Sequence, residues 1–213
     1  MPVPKPTCKD KIETEDELRS IIGEPSELVR KKVISYVDDH CKDFISRSPF
    51  LVISTSDASG YCDVSPRGDT PGFALVLDEK HIIIPERPGN KRIDTMRNIL
   101  SNPKAGLLFL IPGLGETLRV NGKAYLVKDD ILLERMAHHG KKPLVGICIE
   151  VEECFIHCAK AMKRSGLWEP EKWSEKDSLP NAAKILIDHT KIPDMTEKEL
   201  NKALQEDYLT ELY

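Results

Sequence analysis

Long apolar runs are missing from the 213 residues of this chain. No uninterrupted apolar stretch approaches the roughly 20 residues that a membrane-spanning helix needs. We therefore expect no membrane partner. The first eight residues hold three prolines and no apolar core segment, so the pattern of a secretory signal peptide is also missing.

Paired cysteine motifs are missing as well. Cys154, His157 and Cys158 lie close together, but their spacing matches no strong zinc pattern and a second ligand pair is lacking. We therefore predict no metal, and free thiols in a reducing compartment, the cytoplasm. These thiols would be core or interface residues, and there are six: Cys8, Cys41, Cys62, Cys148, Cys154 and Cys158.

A basic excess is absent, because the formal net charge is −4. A general nucleic-acid binder needs a basic surface to neutralise phosphates, so that class is not expected, although a local basic pocket is still allowed. The sequence contains no Walker lysine motif, GxGxxG or GxSxG. A hydrophobic fraction of 40% and a charged fraction of 31% are typical of one globular domain with appendages.

The first 49 residues have helical patterns and predict a helical N-terminal extension. Thr14 to Glu17 fit a capping box, with Gly23 as the stop. A second helix is predicted from Ser26 to about Val37, and a third over residues 41–45.

From Phe50 onward, β-branched alternation between turn signals predicts strands. Gly122 is a candidate kink or bulge in the longest of them. One internal helix is predicted over residues 90–100, and a helical C-terminal extension over residues 167–213, attached to a core of residues 50–166. The predicted fold class is mainly β with helices, a small β-barrel forming one domain overall, and not a doubly wound parallel sheet. The predicted strands are residues 50–55, 61–65, 73–77, 81–84, 105–111, 117–127 and 144–156.

The segment at residues 90–92 has an unexpected charge. Asn90 is a plausible N-cap, which places Lys91 and Arg92 in the first helical turn, at the positive end of the macrodipole. A bound anion would meet free N–H groups and two cations there. The alternative is two solvated basic side chains, and the local pattern leaves both open.

Two further segments are candidates for ligand contact. Ser65, Pro66 and Arg67 end a predicted strand in a turn, which presents an Arg either to a ligand or to solvent. Thr117 and Arg119 share one strand face, which we expect to point outward, into solvent or into a cleft between subunits. His138 and His139 are adjacent, and adjacent residues on a helix do not face one site, so a surface pair is predicted.

The order of these motifs resembles the FMN-binding split β-barrels of the pyridoxamine 5'-phosphate oxidase superfamily, over roughly residues 50–156. The chain after Cys154, as far as Trp168, is similar to an uncharacterised branch of FMN-binding relatives. Each motif is loose alone, and their common order and spacing are more specific. They are Ile82-Ile83-Ile84, then Asn90-Lys91-Arg92 before a helix, then NPKAGLLF at residues 102–109 and TLRVNGKA at residues 117–124.

The resemblance implies a set of cofactor-binding residues and a homodimer with the flavin at the subunit interface. Asn90, Lys91 and Arg92 would hold the FMN phosphate. Lys163 and Trp168 are expected in a wall of the site, where an indole covers an aromatic ring; the alternative is a tryptophan that packs the tail onto the barrel. The remaining implied contacts are Ser65, Pro66 and Arg67 at the ring and ribityl edge, Pro85, Glu86 and Arg87 along the ribityl chain, and Thr117 and Arg119 from the other side of the cleft.

Departures from the family pattern limit the predicted activity. Residues 134–140 lack the substrate-phosphate set of the true oxidases, and no Arg-Leu-x-Pro-like element follows Trp168. We therefore predict a flavin-dependent oxidoreductase of an unidentified small molecule, and not oxidation of pyridoxamine phosphate. The alternatives are a non-catalytic flavin or haem carrier on the same barrel, a deazaflavin in place of FMN, and a metal-dependent hydrolase using His138, His139 and His157.

Overall fold

The computed structural model describes residues 9–213. Residues 1–8 lie outside the described residues. They include the predicted free thiol of Cys8 and the segment in which no signal-peptide pattern was found. The described chain forms two compact units, which divide between Val33 and Ile34. The predicted partition at residues 49 and 166 stays a prediction.

Two short helices, α1 (Glu15–Ile22) and α2 (Glu27–Lys31), belong to the first unit. Thr14 caps α1 as predicted, because its side chain accepts a hydrogen bond from the Glu17 N–H at 3.2 Å. The reciprocal half of the predicted capping box is not formed, since the Glu17 carboxylate accepts from the Glu13 N–H. α2 begins after Ser26 as predicted but stops well short of Val37.

A seven-stranded antiparallel sheet dominates the second unit. The strands lie in the order β2-β1-β5-β6-β7-β4-β3, which confirms the mainly β prediction and the absence of a parallel, doubly wound sheet among the described strands. The bounds are β1 (Phe50–Ser56), β2 (Cys62–Gly68), β3 (Leu75–Val76), β4 (His81–Pro85), β5 (Lys104–Leu110), β6 (Thr117–Val127) and β7 (Gly146–His157).

Six α-helices and two single 3-10 turns accompany this sheet. A full capping box at Thr196 and Glu199 starts α8, within the predicted helical C-terminal extension. α5, capped by Asp129, was missed because six residues are too few to show a helical period. The helices are α3 (Asp39–Arg47), α4 (Asp94–Ser101), α5 (Asp130–Arg135), α6 (Lys160–Ser165), α7 (Ala182–Thr190) and α8 (Glu197–Thr210). Of the described helices, none combines the length and apolarity needed to cross a membrane.

The hydrophobic core lies inside the curved sheet. Alternate residues of β1, β5 and β6 point inward and are almost fully buried, and Phe44 and Ile45 of α3 cover them. The β6–β7 register shifts between Asn121 and Gly122, which marks a β-bulge at the predicted place. Only glycine fits there, because a Cβ would lie 2.1 Å from the Glu150 carbonyl oxygen. The inward residues are Leu51, Ile53, Leu107, Phe109, Leu118 and Val120.

The five described cysteines are free thiols, as predicted. Cys41, Cys148 and Cys154 are buried, whereas Cys62 and Cys158 are exposed. The Sγ atoms of Cys41 and Cys154 lie 3.3 Å apart in the core, where the hydrogen bond to Cys154 and burial raise the pKa of Cys41. A buried thiol that stays protonated is chemically inert, so Cys41 serves packing.

Candidate functional site

The loop before α4 differs from the prediction. α4 begins at Asp94, and Ile93 precedes it in the left-handed region at φ 56° without a side-chain cap. Asn90 is therefore not the N-cap; its Oδ1 accepts from the Arg92 N–H at 3.0 Å. An asparagine readily bonds to the backbone two residues on, and this turn competes with capping. Lys91 and Arg92 consequently precede the helix instead of lying in its first turn.

The same loop has a backbone suited to anions. Lys91 and Ile93 have positive φ of 60° and 56°, and Arg92 between them does not. Such alternation turns successive N–H groups toward one side and forms an anion-binding concavity. The first-turn N–H groups of α4 also receive no side-chain cap, which leaves the positive end of the helix open.

A cavity of about 460 Å³ adjoins this loop. Its lining includes two cationic side chains, Arg92 from the loop and Arg97 from α4. Arg92 Nε lies 2.7 Å from Asp94 Oδ2, and this pair is largely exposed, so solvent screens it. The cavity is therefore polar and carries charges of both signs. The lining residues are Asp57, Tyr61, Cys62, Asp63, Arg92, Asp94, Arg97, Asn98 and Ser101.

A network of side chains joins β2 to α4 and to the end of β4. Thr95 of α4, which is almost fully buried, donates to Asp63 Oδ2 at 2.6 Å, and Ser65 donates to the same oxygen at 2.9 Å. Arg67 Nε donates to Glu86 Oε2 at 3.0 Å, in a half-buried ion pair. Two predicted site regions, residues 65–67 and residues 85–92, are therefore brought together.

The predicted turn at residues 65–69 is instead the end of a strand. β2 continues through Gly68. Asp63, Ser65 and Arg67, at every second position, therefore share one face of the strand, and Pro66 lies on the opposite face. Proline is tolerated there because β2 is an edge strand and needs no N–H for an outer neighbour. The strand, not a turn, aims Arg67 at Glu86.

A second ion pair crosses the same gap. Arg87 Nε lies 2.7 Å from Asp69 Oδ2, whose side chain is wholly buried, and Arg87 also donates to the Met136 carbonyl at 2.9 Å. Burial alone would raise the pKa of Asp69, but hydrogen bonds from the Thr70 amide, the Tyr213 hydroxyl and Arg87 outweigh it and hold that pKa below its usual range. The Arg87 guanidinium is thus committed to acceptors of the protein itself.

Only one of the two predicted outward residues of β6 is exposed. Arg119 faces out, with its guanidinium 5.5 Å from the Phe155 ring and its Nε 3.2 Å from Asn121 Oδ1. Thr117 is buried, contrary to the prediction. The chain after β7 returns toward the loop before β6, where a Cβ on Gly115 would lie 2.8 Å from the Ala159 Cβ.

Trp168 is anchored to that same loop, and α6 carries Lys163 just before it. The Trp168 Nε1 donates to the Leu114 carbonyl at 2.9 Å. This bond is what the packing alternative expects, while contact with a cofactor stays a prediction. β6 lies three strands from β2, so the predicted residues Thr117, Arg119, Lys163 and Trp168 form a second group apart from the first.

The adjacent histidines do not lie on a helix. His138 and His139 follow α5 in a tight connection, and the His138 ring stacks on Tyr213 with centroids 4.5 Å apart. Among residues 9–213, no three His, Cys, Asp or Glu side chains are grouped to hold a metal ion. The hydrolase alternative therefore has no supporting cluster in this part of the chain.

Four residues of the site were not identified from the sequence: Asp63, Asp69, Thr95 and Tyr213. The alternation of Asp63, Ser65 and Arg67 was a readable signal, since polar side chains at every second position share a strand face. Thr95 and Asp69 had no distinguishing local pattern, and Tyr213 lies far away along the chain.

These features define a class: a seven-stranded antiparallel sheet whose edge strand β2 faces the end of β4 across a gap bridged by side chains, which is a split β-barrel with added helices. A profile of the pyridoxamine 5'-phosphate oxidase family matches residues 37–158, more than half of the chain. The chain belongs to the pyridoxamine 5'-phosphate oxidase family. No curated protein sequence matches it.

The solved structures that the chain resembles are distant in sequence. HupZ of Group A Streptococcus is 22% identical, with a TM-score of 0.46 over 56% of this chain and 93% of that one. A Clostridium acetobutylicum protein related to general stress protein 26 is 15% identical, with a TM-score of 0.42 over 55% and 85%. The haem storage protein HutZ of Vibrio cholerae is 16% identical, with a TM-score of 0.38 over 57% and 93%.

Proposed function

We propose that this protein binds FMN in the gap between β2 and the end of β4, beside the start of α4, and that it is a flavin-dependent oxidoreductase acting on a small molecule. The observation that carries the proposal is the uncapped start of α4. It follows a loop of alternating φ and borders a cavity whose lining includes two arginines and three aspartates.

The residues present fit the phosphate end of FMN. The first-turn amides of α4 supply donors, and Lys91 and Arg92 supply positive charge beside them. Arg92 is paired with Asp94, but an exposed pair of this kind contributes about 0–1 kcal/mol. A phosphate dianion would therefore compete for Arg92 at small cost.

The residues of β2 and β4 would hold the flavin ring and ribityl chain. Bound flavin supplies hydride or one-electron chemistry, and the protein supplies binding, orientation and electrostatics. Ser65 and Arg67 are donors on the inner face of β2, with Pro66 on the outer face, and Pro85 and Glu86 lie across the gap. Arg67 would favour the anionic reduced ring, and its pairing with Glu86 weakens that effect.

We further propose that a second copy of the chain covers the outer face of β2, β1 and β5. Phe50 and Val64 on this face are 37% and 64% exposed, and Pro66 is aligned with Arg119 across two intervening strands. In a two-fold pair, Arg119, Lys163 and Trp168 of one copy would reach the flavin of the other, whereas the buried Thr117 would not. A monomer in light scattering that still holds flavin tightly would overturn this arrangement.

A non-catalytic flavin or haem carrier is the alternative. Cys62 and Tyr61 line the cavity, and both residue types can ligate haem iron, so the bound chromophore has to distinguish flavin from haem. Failure of every nicotinamide donor to reduce the bound flavin would favour the carrier. A cytoplasmic location stays a prediction from the free thiols.

The test is to purify the protein and identify the bound chromophore by its absorption spectrum and by mass. FMN in roughly equimolar amount supports the proposal. A Soret band, or apo protein that takes up no FMN when it is added, contradicts it. Pyridoxamine phosphate should not be turned over, because the substrate-phosphate set is missing.

A further inference from the structure

We propose that Tyr213 is a positioning residue of the flavin site: it fixes Asp69 and Arg87, and with them the width of the gap between β2 and β4. This inference rests on the proposed binding of FMN. Neither the match to the family, which ends at residue 158, nor the predicted site includes Tyr213.

Tyr213 contacts three separate parts of the fold. Its hydroxyl donates to Asp69 Oδ1 at 2.9 Å, and its ring stacks on His138 at an interplanar angle of 22°. The Arg87 guanidinium lies 5.7 Å from the ring centroid. Lys141 Nζ donates to the Tyr213 main-chain oxygen at 2.6 Å.

Asp69 depends on these donors because its side chain has no access to solvent. Oδ1 accepts from the Tyr213 hydroxyl and the Thr70 amide, and Oδ2 accepts from Arg87. Burial and the neighbouring carboxylate raise the pKa of Tyr213, so the phenol keeps its proton and remains a donor. Removal of the hydroxyl leaves a buried carboxylate oxygen with one donor fewer, which is costly.

The consequence reaches the flavin site through two short stretches of backbone. Asp69 follows Arg67 by two residues, and Arg87 follows Glu86 directly, so both ion pairs bridge the same two segments. β2 and β4 share no ladder, since they lie at different ends of the strand order. The two ion pairs bridge these segments directly, and Tyr213 contacts both members of the Asp69–Arg87 pair.

The experiment compares Tyr213→Phe and Tyr213→Ala with Tyr208→Phe, a control on the exposed surface of α8. We expect Tyr213→Phe to weaken FMN binding by up to roughly tenfold, because the lost hydrogen bond is to Asp69 and only its effect on the Asp69–Arg87 geometry reaches FMN. The visible circular dichroism of the bound flavin should change as well. Tyr208→Phe should change neither measurement.

Two controls keep the outcome decisive. Tyr213→Phe is nearly isosteric, so a folding failure of Tyr213→Ala does not remove the test. In apo protein, the His138 ring protons should shift in Tyr213→Ala, because the stacked ring is lost. A lowered melting temperature with unchanged flavin affinity and dichroism overturns the positioning role while the proposed function stands. Wild-type protein without affinity for FMN overturns the proposed function itself and the inference with it.

Discussion

The middle of the sheet and the gap at its edges are held together in different ways. β1, β5, β6 and β7 are joined by continuous backbone ladders around a buried apolar core. Across the gap, two ion pairs join Arg67 of β2 and Asp69 to the residues that follow β4, and the Thr95 hydroxyl joins α4 to Asp63 of β2. The first region provides stability, and the second provides polar groups whose geometry is adjustable.

This difference explains where the candidate site lies. Backbone ladders leave no main-chain donors for a ligand, and an apolar core leaves no charge. The gap has main-chain donors as well as charged side chains, because an edge strand and an uncapped helix start meet there. A relative of the same fold is therefore free to change its ligand by changing side chains at the gap while the sheet is preserved.

The largest expected effect is in the middle of the sheet. Phe109→Ala removes a fully buried ring from β5, and we expect a loss of about 3–5 kcal/mol in the free energy of unfolding. Urea unfolding measures it. Leu144→Ala, at a side chain 86% exposed, is the control and should change stability by less than about 0.5 kcal/mol. Similar losses in the two variants would break the distinction between core and surface.

The second effect concerns ligand affinity at the gap. Lys91→Ala with Arg92→Ala should weaken FMN binding by about two orders of magnitude or more, since each charge-assisted bond contributes roughly 1.5–3 kcal/mol. Both side chains are exposed, so the folded state should persist. Arg30→Ala with Lys31→Ala, another adjacent pair on an exposed helix, is the matched control in a flavin titration. Normal FMN affinity in the first double variant would refute the phosphate assignment.

The third effect sharpens the contrast between ion pairs. A double-mutant cycle of Arg67→Met and Glu86→Gln should give a coupling of about 1–3 kcal/mol, because the pair is half-buried. The exposed pair of Lys104 and Glu152 on the outer sheet should give about 0–1 kcal/mol. Chemical denaturation of the single and double variants measures both. Equal coupling energies would show that solvent screens the ion pair in the gap as strongly as the pair on the surface.

The smallest effect is the pH dependence that Asp69 contributes. Its pKa in the folded protein lies below the usual 3.8, so its stabilisation is fully present above that value and is lost as the pH falls below it. Wild type should therefore lose more stability than Asp69→Asn between pH 5 and pH 3, on the scale of unfolding midpoints in urea. A parallel loss in both proteins would remove Asp69 from the account.

The sheet was predictable because its signals are local. Alternation of apolar residues identifies β1, β5 and β6 within a residue or two, and the bulge at Gly122 follows from a glycine inside a long alternating run. The family was predictable because the order of its motifs survives in the chain. The start of α4 was not, since Asn90 can cap a helix or close a turn, and only the surrounding structure selects between them.

The sequence by itself determined the class of fold, the family and the stretch of chain around residues 65–92 where a ligand is expected. Tertiary structure alone decided that Arg67 pairs with Glu86 and Arg87 with Asp69, that Thr117 is buried, and that Tyr213 completes the Asp69 cluster. The physical reason is how far apart along the sequence the contacting residues lie. Strand and helix patterns arise from neighbouring residues, whereas a contact between residues 144 positions apart, such as Tyr213 with Asp69, forms only when folding closes the chain around one buried charge.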